Sequence, residues 1–89
     1  MALQIINAGP DPEEICGQIR DSISAAIEGA EIEVRAPSAG HFEIKVVSTA
    51  FDGLSRVKQQ QLVYGAIAHL MSGNSAPVHA VDRLQCVVP

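Results

Sequence analysis

Apolar residues recur along this chain with two periods, one helical and one of two residues, and the changes between them divide it into elements. From Asp11 to Ala30, Ile15, Ile19, Ile23, Ala26 and Ile27 fall at helical spacing and make a single apolar stripe. Asp11 is a capping side chain and Pro12 suits the first helical position. Glu13 and Glu14 suit the positive end of the helix dipole, and Gly29 is the expected stop. The period then changes. In "AEIEVRA" Ile32 and Val34 share one face against Glu31, Glu33 and Arg35, and in "HFEIKVVS" Phe42, Ile44 and Val46 oppose Glu43 and Lys45. The turn signal "PSAG" at 37–40 joins these two strands into a hairpin.

A helical rhythm returns after Asp52-Gly53. Ser55 is a capable cap, and Val57, Val63, Ile67, Leu70 and Met71 are the expected inward positions. Gly65, beside Tyr64, weakens the helix interior and predicts a break or bend there. After "SGNSAP" the stretch 78–87 reads as a last strand, with Val78, Ala80 and Leu84 toward a core and Val81 on the alternate face. The order is α-β-β-α-(α)-β. About thirty residues separate the second and third strands, enough for a crossover that makes them parallel. The fold class is therefore an α/β two-layer sandwich, a three-stranded mixed sheet with helices on one face. Residues 1–10 read as a short N-terminal extension, and 11–89 as one domain.

Composition narrows the function classes. Ten acidic and six basic side chains leave a net charge of −4, unfavourable for a surface that must neutralise phosphates. No apolar run reaches the ~20 residues of a membrane span, and the first ten residues have neither a basic n-region nor Arg-rich amphipathic character. Cys16 and Cys86 lack metal-binding or redox spacing and read as reduced thiols in a cytosol-like compartment. A cytoplasmic location is expected, or an organelle if a transit segment has been removed. No nucleophile–base pair, HExxH or phosphate loop is present, so an enzyme is not expected.

Taken together, "HFEIKVVSTAFDGLSRVKQQQLVYGAI" and "VHAVDRL" resemble the BolA-like family, over roughly residues 13 to 86. The telling pieces are "FDGLSRVKQQ", "VYGAI" and "VHA", and the wording is most similar to short bacterial members of the acid-stress-associated branch. The resemblance implies a class II KH-like fold and pairing with a monothiol glutaredoxin around a bridging [2Fe-2S] cluster, for iron-sulfur trafficking or for iron and redox sensing. The partner would supply its cysteine and a bound glutathione thiol. This chain would supply the histidine that opens the last strand, His79, and a second ligand near the hairpin loop, for which His41 is the nearest candidate. On its own the chain is expected to be a monomer or weak homodimer without cofactor.

Read without the family, a lone histidine in a strand is more often a hydrogen-bonded structural group than a ligand, and His41 can equally bond across the turn exit. Alternation puts His79 opposite Val78 and Ala80, on the sheet face away from the helices. A [2Fe-2S] cluster takes four ligands, more than this chain groups together, and sharing removes that shortage. Imidazole ligation raises the potential and makes the bond acid-sensitive. His69 reads as a solvated helix residue, and both cysteines as small core hydrophobes. The alternative function is a DNA-binding transcriptional regulator using Arg56 and Lys58 at the second helix start. Against it stand the absence of a GXXG clamp and an aromatic content of 3%.

Overall fold

Two helices cover one face of a three-stranded sheet, and the other face is left open. The computed structural model describes residues 11–89, so the expected N-terminal extension lies outside the described residues. Helix α1 spans Pro12–Ala26, strand β1 Glu31–Ser38, β2 His41–Val47, a 3-10 turn Thr49–Phe51, helix α2 Arg56–Met71, and β3 Ala80–Val87. The sheet order is β1-β2-β3, with β1 antiparallel and β3 parallel to β2. This is the mixed sheet expected from the crossover length.

Local chemistry accounts for the boundaries. The Asp11 carboxylate accepts from the Glu13 N–H at 3.0 Å and Pro12 occupies the first turn. The helix ends at Ala26, earlier than Gly29, because Ile27 leaves it in an extended conformation while its N–H still bonds Ile23 O at 2.8 Å. That departure lets Ile27 reach the core at 3% exposure, whereas Ala26, expected on the apolar stripe, is exposed. Ser48 caps the 3-10 turn through the Ala50 N–H, and Ser55 caps α2 through the Lys58 N–H.

Helix α2 is continuous through Tyr64 and Gly65, both exposed, so the expected break does not occur. With no tertiary contact at Gly65 to disturb, the intact hydrogen-bond ladder outweighs the roughly 1 kcal/mol propensity loss. Val57 also departs from expectation, at 61% exposure. It lies six residues before Val63, off the helical repeat, and the inward-leaning positions of the first turns belong to Gln59 and Gln60. Gln59 donates to Phe51 O at 3.0 Å and Leu54 O at 3.2 Å, tying the preceding loop to the helix.

The core between the layers comprises Ile15, Cys16, Ile19, Ile23 and Ile27 of the α1 segment, Phe42, Ile44 and Val46 of β2, Phe51, and Val63, Ile67 and Leu70 of α2. Val78 completes it at 1% exposure. The open face carries Glu33 and Arg35 of β1, Glu43 and Lys45 of β2, and Arg83 and Gln85 of β3, in register. Arg35 and Glu43 form an ion pair at 2.9 Å.

Candidate functional site

The hairpin turn and the entry to β3 meet at one point. Ser38 pairs with His41, which leaves Ala39 and Gly40 as the turn. Gly40 has φ +77°, a conformation that glycine adopts without a Cβ penalty. Its carbonyl accepts from both His79 N, at 2.9 Å, and Ala80 N, at 3.1 Å, so the turn docks the start of β3. A second requirement for glycine is spatial. A Cβ at this position would stand 2.4 Å from His79 Nδ1 and 2.8 Å from Cγ.

The His79 ring therefore lies close against Gly40, with Nδ1 its nearest atom. The preceding residue anchors it further, since Val78 is in the core and its N–H donates to Leu70 O at 3.1 Å. The side chain itself is exposed. Its backbone is thus held on both sides while its imidazole faces solvent.

The expected alternation, with His79 on the open face opposite an inward Ala80, does not hold. β3 begins at Ala80, so His79 precedes the strand. Ala80 pairs with His41 on the open face, and Val81 pairs with buried Phe42 and packs on the core. The expected faces of Ala80 and Val81 are exchanged. The physical reason is a bulge: Val81 opposes Phe42 and Arg83 opposes Glu43, leaving Asp82 as an extra residue. Beyond it Leu84 and Cys86 return to the helix side.

His41 sits on the open face with its side chain 44% exposed, and its Nδ1 lies 3.1 Å from Asp82 Oδ1. It follows Gly40 in the chain, while His79 precedes Ala80, the register partner of His41. The two histidines singled out in the sequence are thereby gathered around one glycine. Asp82 is the member of the site that sequence reasoning missed. Its trace was the pair of consecutive polar residues in "AVDRLQC", which shifts the apolar positions from 81 to 84 and 86.

The remaining candidates lie elsewhere. His69 is exposed on α2, with Nε2 3.3 Å from Ser22 Oγ, in the helical layer. Cys16 is buried and Cys86 half-buried, both free, and burial raises both thiols above their ordinary pKa, with Glu13 adding to the effect at Cys16. Arg56 and Lys58, two apart on α2, diverge. Arg56 lines a hollow with Gln59, Gln60 and the end of β3, and Lys58 borders Leu54, Gln61 and Leu62. Among the described residues no group of three or more His, Cys, Asp or Glu could hold a metal ion, and no helix is long and apolar enough to cross a membrane. The donor set of the site is two imidazoles, half the ligand number of a [2Fe-2S] cluster.

The profile of the family described as BolA-like protein matches residues 19–87. The chain belongs to the BolA-like family. It is 36% identical over 65 residues to the acid stress protein IbaG of Escherichia coli K12, a match covering 73% of this chain and 74% of that protein. It is 35% identical over 72 residues to human BolA-like protein 1, covering 71% of this chain and 50% of the human protein, so it spans about half the length of that relative. The solution structure of mouse BolA1 superposes with a TM-score of 0.69 at 29% identity, over 96% of this chain and 72% of the mouse chain. Both the fold and the resemblance to the acid-stress branch agree with the sequence reading. In this BolA-like chain the helix-covered face is the core side; His41 lies at one end of the other face, and His79 stands just before β3, beside Gly40.

Proposed function

We propose that this BolA-like chain is a non-enzymatic partner of a monothiol glutaredoxin and that the two share a bridging [2Fe-2S] cluster, in iron-sulfur trafficking or iron and redox sensing. The observation that carries the reading is the gathering of His79 and His41 around Gly40, both accessible to solvent, where the hairpin turn meets the entry to β3. Two imidazoles from this chain with a cysteine and a glutathione thiol from the partner complete the four ligands of such a cluster. The reduced state of both cysteines suits a cytosol-like compartment.

The test is anaerobic mixing with cluster-loaded monothiol glutaredoxin, followed by visible absorbance and circular dichroism. A change in both spectra is expected for the wild type, a lost response for His79→Ala, and a weakened one for His41→Ala. An unchanged spectrum on mixing would sink the proposal, and an equal response from His79→Ala would remove that residue from it.

The DNA-binding reading has less support, because Arg56 and Lys58 border separate hollows on an acidic chain. Binding that weakens with salt and falls on Arg56→Ala would restore it.

A further inference from the structure

We infer that Asp82 is a positioning residue for His41, accepting a hydrogen bond from Nδ1–H and so holding the imidazole in the tautomer whose Nε2 lone pair is free to ligate. The inference rests on the reading of His41 as a ligand, but the tautomer belongs to the chain alone.

Three observations lead to it. First, Asp82 is the supernumerary residue of the β3 bulge, and the bulge puts its carboxylate on the open face 3.1 Å from His41 Nδ1. Second, stability does not account for the arrangement. Both side chains are 44% exposed, and an ion pair or hydrogen bond so solvated contributes little, while a bulge interrupts the ladder between β2 and β3. Third, the chemistry of the pair is directional. An ionised carboxylate only accepts, so Nδ1 must carry the hydrogen, and in a neutral ring the lone pair is then on Nε2. This is how metal-ligating histidines are commonly held, with the second ring nitrogen donating to a carboxylate.

The neighbouring charges leave this role to Asp82. Glu43, the next carboxylate along β2, is bonded to Arg35 at 2.9 Å. His79 takes its position by other means, from the close approach of Gly40 and the two bonds to the Gly40 carbonyl. The two imidazoles are thus oriented independently, one by backbone and one by a side chain.

The test has two arms. In the chain alone, labelled with 15N at histidine and held above the histidine titration range, long-range 1H–15N correlation reads each tautomer. His41 is expected to carry its proton on Nδ1, opposite to the preference of an unpartnered imidazole, and Asp82→Ala should return it to Nε2 without moving His79. A wild-type His41 already protonated on Nε2 overturns the inference, and that result needs no variant to fold.

In the second arm the wild type and Asp82→Ala are titrated into cluster-loaded monothiol glutaredoxin. A roughly 10- to 100-fold weaker spectral titration is expected for the variant. Equal titrations overturn the link to ligation. A wild type that gives no spectral response counts against the glutaredoxin reading, and the first arm then decides the role of Asp82 alone.

Discussion

Gly40 is the residue on which the site depends most directly. It turns the hairpin with a positive φ, its carbonyl receives two N–H groups from the β3 entry, and its missing Cβ is the space that His79 fills. Gly40→Ala meets both obstacles together, a left-handed backbone and a contact of 2.4 Å. A loss of about 1–3 kcal/mol in urea unfolding is expected, with the His79 ring resonances displaced. Full stability and unmoved His79 resonances would show that the turn has room to yield. At this scale the sequence carried part of the site. "GH" and "VHA" mark the histidines, and a turn glycine is readable from "PSAG", but its contact with a residue from the far end of the chain exists only after β3 docks. Asp82 was hidden for a different reason: strict alternation has no place for an extra residue, so the bulge could be seen only as a misfit.

Among the elements, α2 tests how propensity yields to context. Gly65 sits mid-helix with an ordinary φ and nothing within 4 Å of where a Cβ would stand. Gly65→Ala is therefore expected to stabilise the fold by about 0.5–1 kcal/mol, measurable as a raised urea midpoint with an unchanged slope. A destabilised variant would mean that the glycine accommodates a bend the helix needs. The same helix explains why Val57 was misassigned. Its apolar character suggested an inward position, but the phase set by Val63, Ile67 and Leu70 passes through Gln59 and Gln60 instead. The Gln59 amide is useful there because it donates to the loop carbonyls of Phe51 and Leu54. Strand β2, and β1 as far as Arg35, were legible, since one face of each packs on the core, buried in β2 and half-buried in β1. Pro37 and Ser38, read as turn, instead extend β1 past an irregularity in the pairing.

For the molecule as a whole, layer order and connectivity followed from element order and the crossover length, while the site came from register, which element order does not contain. One global property depends on groups far from it. Cys16 and Cys86 lie between the sheet and helices, and burial holds both thiols protonated above their ordinary value of 9.0. The folded state then binds more protons than the unfolded chain once the unfolded thiols ionise. The stabilisation is fully present below that range and is lost as pH rises through it toward the raised folded values. Urea unfolding should thus show falling stability from about pH 8 to about pH 10. A Cys16→Ala, Cys86→Ala double variant should be less stable at the lower pH but fall less steeply. An identical slope would place the alkaline loss on other groups.

The bulge in β3 has a consequence for the chain as a length of polymer. Val81 faces the core and Arg83 the open side, which are the positions two consecutive residues of an uninterrupted strand would take. Excising residue 82 would therefore leave both halves of β3 in phase with β2, with Leu84 and Cys86 still inward. The carboxylate is an insertion that the core does not register, so the open face can gain or lose a functional group there by a change in chain length while the packed interior stays as it is.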